Sequence, residues 1–132
     1  MASILKVDQL QGIAAAKTVT VTVGASATQS LEQGLAKAWV SMDAGQTIND
    51  SLNTASLTDN SSGDHTANWT NALSLATYAV ATFSRVTTTY AQVATPRGAF
   101  TTTTVRINTH QSNSTSTGDK TENGIMVQGD LA

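Results

Sequence analysis

The residues best equipped for chemistry gather in "LTDNSSGDHTANW", residues 57 to 69, where carboxylates, amides, hydroxyls, a glycine and a histidine lie between a leucine and a tryptophan. A calcium loop of the EF-hand type needs oxygen ligands at alternate positions, a glycine at the sixth place and a bidentate glutamate at the twelfth. Counted from Asp59, Ser61 and Gly63 take the third and fifth places, Asp64 the sixth and Thr70 the twelfth, so the register fails where it matters most. A zinc site fares no better, because His65 is the one strong nitrogen donor in the stretch and the chain has no cysteine to join it. Asp, Asn, Ser and Gly tolerate left-handed backbone or bond their own backbone, and "DNSSGD" therefore reads as a hairpin loop between two strands.

Other catalytic constellations are incomplete. The only histidine bases are His65 and His110, and neither lies near a serine set in a G-x-S-x-G turn. Asp59 with Asp64, and Asp119 with Glu122, could pair as acid and base, but turn chemistry already accounts for them. "GIAAAK" lacks the second glycine and the hydroxyl that a phosphate cradle requires. No catalytic, metal or cofactor residue is assigned, and the chain is expected not to be an enzyme. Trp39 and Trp69 sit among small residues in strand-like segments and are expected in the core. Tyr90, just before "AQVATPRG", reads as a loop residue close to Arg97 and the single proline, and is a candidate for surface contact together with Arg97 and His110.

The elements that must position these residues are strands. Threonine is the commonest residue, and "TVTVTV", "VTTTY" and "FTTTTV" combine β-branching with polarity, which suits a pleated strand with one wet face. At 132 residues the length is that of one domain. Only 12% of residues are charged, the net charge is −2 and the seven basic residues are scattered from Lys6 to Lys120, which argues against a nucleic-acid partner. "MASILKVDQLQGIAAAK" lacks a basic start followed by a continuous apolar run, and no stretch of about eighteen apolar residues could span a bilayer. A soluble chain without membrane insertion is expected.

Along the chain, "SILKVDQLQGI" is a short amphipathic extended piece, and "AAAKTVTVTVG" places Val19, Val21 and Val23 on one face. "ASATQSLEQGLAK" suits a short helix or linker. Strand-like segments follow in "AKAWVSM", "TINDSLNTASL", "HTANWTNA", "TYAVATFSRV", "GAFTTTTVRINTH" and "NGIMVQGDL", with the polar run 111–123 read as a long hairpin loop. The expected fold is all-β: residues 34–132 form an antiparallel β-sandwich or jelly-roll-like domain, preceded by an extended N-terminal arm and linker over 1–33.

The stretch "GLAKAWVSMDAGQTINDSLNTASLTDNSSGDHTANWTNALSLATYAVATFS" resembles a domain recurrent in virion proteins of tailed bacteriophages, with a "KAWV"-type strand, a "DSxNxxSxTDNxxGD" hairpin and a "YAV" strand. Lys37 to Val40, Asp50 to Asn53, Ser56, Thr58 to Asn60, Gly63, Asp64, Thr66, Thr70 to Leu73 and Tyr78 to Val80 carry the likeness. The final "TTTTVRINTHQSNSTSTGDKTENGIMVQGD" looks like that family's closing hairpin, and "ILKVDQLQG" is similar to short N-terminal arms of phage fibres. The chain departs from the pattern at "SMDAGQ" and at Trp69.

The resemblance implies a non-enzymatic structural protein of the virion, assembled in the bacterial host cytoplasm: a decoration or short-fibre subunit of the tail-fibre type, attached to capsid or tail. It implies a homotrimer whose partners are its own copies and other virion proteins. Ile4, Leu5, Val7, Leu10 and Ile13 of the arm would dock, and Val19, Val21 and Val23 would need a partner chain to cover them. The alternative is a receptor-binding tip whose loops around Tyr90, Arg97, His110 and residues 111–123 hold a host surface glycan.

Overall fold

The computed structural model describes residues 9, 19–23, 27–85, 92–113 and 116–131, and the chain divides into two units, Met1–Leu35 and Ala36–Ala132. In the first unit, β1 (Thr20–Val23) and β2 (Ala27–Ser30) form an antiparallel hairpin that pairs Thr20 with Ser30 and Val23 with Ala27. A single helical turn, α1 (Leu31–Gly34), follows, and the Leu31 amide donates to the Val19 carbonyl at 2.8 Å. The helix-or-linker reading of "ASATQSLEQGLAK" is corrected accordingly. Thr28 supplies the β-branching that lets residues 27–30 pair with the threonine-valine strand, and only 31–34 are helical.

The second unit contains β3 (Ala38–Asp43), β4 (Ile48–Leu52), β5 (Thr54–Ser61), β6 (Asp64–Trp69), β7 (Ala79–Arg85), β8 (Gln92–Pro96), β9 (Thr104–Gln111) and β10 (Glu122–Gln128). They form two antiparallel four-stranded sheets, β4-β3-β10-β7 and β5-β6-β9-β8. The fold is all-β and sandwich-like, with the β3–β4, β5–β6 and β8–β9 hairpins each contained in one sheet. The β5–β6 hairpin turns within "DNSSGD", but the loop expected there is shorter: Asp59, Asn60 and Ser61 end β5, Asp64 opens β6, and Ser62 and Gly63 make the turn.

Alternation sorts each strand between core and surface. In β3, Ala38, Val40 and Met42 are buried while Trp39, Ser41 and Asp43 turn outward. In β9, Val105, Ile107 and Thr109 point inward, and in β10 so do Asn123, Ile125 and Val127. With Ala67 and Trp69 of β6 and Ala94 of β8 they form one continuous core drawn from both sheets. Each large aliphatic side chain buried there contributes roughly 1.5–3 kcal/mol relative to exposure.

The chain changes sheet four times, and side chains fix two of the corners. Asn53, at φ 55°, separates β4 from β5; its side-chain amide donates to the carbonyls of Lys37 (3.2 Å) and Asn71 (3.1 Å), and its Oδ1 accepts the Asn71 amide at 2.7 Å. A left-handed asparagine that bonds across the corner is a stable substitute for glycine. Before β7, the Tyr78 hydroxyl points at the carbonyls of Thr101 (3.0 Å) and Thr104 (2.9 Å), and its ring stacks on Phe100 at 5.2 Å. Burial pushes the Tyr78 phenol above its ordinary pKa, so it stays a neutral donor.

Two further expectations are corrected. "QVATP", read as loop, is the edge strand β8, where Pro96 is tolerated as the last residue. The polar run 111–123 does not close a hairpin: β9 and β10 belong to different sheets, and the run passes from one to the other.

Candidate functional site

The outward faces of the two sheets differ in chemistry. On the β5-β6-β9-β8 sheet, outward positions are polar because alternate residues of β6 and β9 are Asp64, Thr66, Asn68 and Thr104, Arg106, Asn108. At their centre the Asp64 side chain is only 2% exposed, roofed by two guanidinium groups. Arg106 donates through Nε to Oδ1 at 2.6 Å and through an Nη to Oδ2 at 2.7 Å, a bidentate pair. Arg97 donates to Oδ2 at 2.8 Å and also reaches Asn108 Oδ1 at 3.3 Å, while the Asn60 amide donates to Asp64 Oδ1 at 3.3 Å. The Arg106 hydrogen bond is the largest influence on Asp64 and holds its carboxyl below the ordinary 3.8; burial opposes it, and the charges of Arg106 and Arg97 add to it. A carboxylate saturated in this way is a strut and not a proton donor at neutral pH.

Behind it, on the core side of β6, His65 is fully buried and neither ring nitrogen has a hydrogen-bond partner among the described residues. Asp119 Oδ1 stands 3.8 Å from Nε2, beyond hydrogen-bond reach, and is already taken by the Gly63 amide at 2.6 Å. His65 thus fills space at the cost of burying polar nitrogens. His65→Leu is expected to leave stability unchanged or raise it by about 1 kcal/mol. Urea denaturation checks this, and a loss above about 2 kcal/mol would show that the imidazole has a partner after all.

Across the outward face of the β4-β3-β10-β7 sheet runs an apolar strip, with Asp50, Asp43, Glu122 and Arg85 toward one end of the face. Register aligns Leu52, Trp39, Met126 and Ala81 in one row across its four strands, and the next row sets Ser41, Gly124 and Phe83 side by side. The Phe83 ring lies over Gly124, where a Cβ would occupy the ring's own space, so a larger residue at 124 would have to turn the half-exposed ring aside. Beside that ring, where Ala81 is small, lies an open groove of about 430 Å³ bounded by Trp39, Ala81, Phe83 and Met126. Leu52, Phe83 and Met126 are each more than 40% exposed. A continuous apolar strip of this kind is a feature of contact surfaces.

The placement of the sequence candidates is mixed. Trp69 is in the core as expected; Trp39 is not, because its odd register in β3 turns it onto the groove. Arg97 and His110 share the polar face, but Arg97 stands beside Arg106 and His110 beside Val93, four residues and about 13 Å apart along β9. Arg97 is spent on Asp64. Val19 is half-buried, Val21 is 45% exposed and Val23 closes β1. Ile4, Leu5, Val7, Leu10, Ile13 and Tyr90 lie outside the described residues. The alternation of "KAWVSMD" could have placed Trp39 with Ser41 and Asp43, opposite Val40 and Met42; the partners of Asp64 had no such signal. Compared with protein-family models, with curated proteins and with solved structures, the chain matches none.

Proposed function

We propose that this chain is a non-enzymatic structural protein of a tailed-bacteriophage particle, a surface-exposed decoration or short-fibre subunit that works by binding its own copies and other virion proteins. The observation that carries the reading is the uncovered apolar strip of Leu52, Trp39, Met126 and Phe83 on a rigid sandwich, a surface shaped for another protein. The virion assignment itself rests on the sequence resemblance over residues 34–84 and at both ends of the chain. The N-terminal arm, with its apolar residues from Ile4 to Ile13, supplies the anchor, and the resemblance implies three-fold association.

The chain produced during infection is expected to be recovered in purified particles, and a version lacking residues 1–23 is expected to be lost from them. If the truncated protein is still incorporated, the arm is not the anchor; if the full chain is never incorporated, the virion reading fails.

A further inference from the structure

The apolar strip on the β4-β3-β10-β7 sheet grades into an acidic corner. Asp50 pairs with Ser41, one row from Leu52 and Trp39, and Asp43 lies in the row beyond, beside Glu122. Glu122 is answered by Arg85. Asp43 accepts the Thr47 amide and Asp50 the Ser51 amide, each at 2.8 Å, and among the described residues neither carboxylate forms an ion pair. A partner that fits this face therefore carries aliphatic side chains with a cation among them. Residues 1–18 have that chemistry. Ile4, Leu5, Val7, Leu10 and Ile13 surround Lys6, and Lys6 and Lys17 outnumber the one acid, Asp8. The segment, of which only Gln9 falls among the described residues, joins the rest of the chain at Val19, just before β1. Fully extended it spans about 60 Å, roughly twice the diameter of a small domain. That is long enough to cross to a neighbouring copy.

We propose that the strip is the docking site for residues 4–13 of a second copy, whose aliphatic side chains seat in the groove over Ala81 while Lys6 reaches the Asp43 and Asp50 carboxylates. This rests on the association of copies proposed above and supplies its contact. Burial of the strip together with the aliphatic residues of the arm drives the docking. The lysine stem lies along apolar surface while its head meets the acids, and that charge pair sets the direction in which the arm runs. Each copy gives one arm and offers one strip, so the contact joins two different surfaces, and contacts of this head-to-tail kind close in a ring. In a ring of three, every strip is covered.

The test uses the purified full chain with no other virion protein, so its outcome is separate from incorporation into particles. Copies that carry photo-reactive benzoylphenylalanine in place of Leu5 are mixed with isotope-labelled copies that keep it, left to exchange, irradiated and digested. Crosslinks from position 5 are expected to reach β3 or β10 of a labelled copy, at Trp39 or Met126. Charge exchange gives a second readout, since Asp50 is exposed. In a dilution series followed by native mass spectrometry, Lys6→Glu and Asp50→Lys are each expected to weaken association about tenfold, and the double variant to recover most of the loss. Crosslinks that stay within one copy, or that reach another copy away from the strip, overturn the proposal. So does a wild type that remains monomeric, or a double variant that associates no more tightly than either single one. A chain absent from particles that still gives the expected crosslinks would end the virion reading and leave the arm contact standing.

Discussion

Replacing Gly63 with alanine is expected to cost the sandwich about 3–4 kcal/mol, the sum of a left-handed alanine and a steric conflict with fixed backbone. Gly63 has φ +70°, and a Cβ there would stand 2.8 Å from the Thr109 carbonyl oxygen and closer still to the Gly118 amide nitrogen. Neither neighbour can swing aside. The Thr109 amide donates to the Gly63 carbonyl at 2.7 Å, the Gly118 amide donates to the Thr109 carbonyl at 3.0 Å and the Thr109 hydroxyl donates to the Gly118 carbonyl at 2.7 Å. One glycine therefore fastens the β5–β6 turn to β9 and to the segment leading to β10. Equilibrium urea unfolding measures the loss; a change below about 1 kcal/mol would mean that the junction yields, and the rigidity claimed for this end of the sandwich would go with it.

Asp64→Asn is expected to destabilise the protein by about 2–3 kcal/mol at neutral pH. An amide cannot accept from both arginines and Asn60 at once, and it brings two donors to a site that is already full of them. The loss stays at the lower end for a broken buried pair because Arg97 and Arg106 are 51% and 41% exposed and can turn to water. The pH dependence has a fixed sign. The folded-state pKa of Asp64 lies below the ordinary 3.8, so its contribution is complete above that value and is lost as pH falls through the lower, folded one. Wild type and Asp64→Asn should accordingly differ most above about pH 5 and converge in strong acid. A difference that does not change with pH would contradict the ion-pair account.

How far the sequence disclosed this molecule depended on the range of the interaction. Strand character was legible wherever alternation was long, as in "AWVSMD" and "YAVATFS", because burial on one face imposes a period of two. The turn at Gly63 was legible from turn chemistry alone. Strand β8 escaped because Pro96 and Gly98 outweighed four ordinary residues, and proline at an edge costs no ladder bond. The passage of 111–123 between sheets was hidden because a polar run bracketed by apolar strands looks the same whether it closes a hairpin or crosses the sandwich. The partners of Asp64 lie 33 and 42 residues away, at Arg97 and Arg106, and no local pattern connects them. Arg97 was singled out as a surface contact and turns out to be tied to Asp64, which leaves the apolar groove, and not the basic residues, as the stronger candidate for contact.

Quantitative mass spectrometry of purified phage particles, with copies of this chain counted against the major capsid protein, tests the proposed role most directly. The account predicts that the chain is present in a fixed ratio: one approaching that of the capsid protein for a decoration subunit, or a few to a few dozen copies for a fibre. Its absence from the particle would contradict the account.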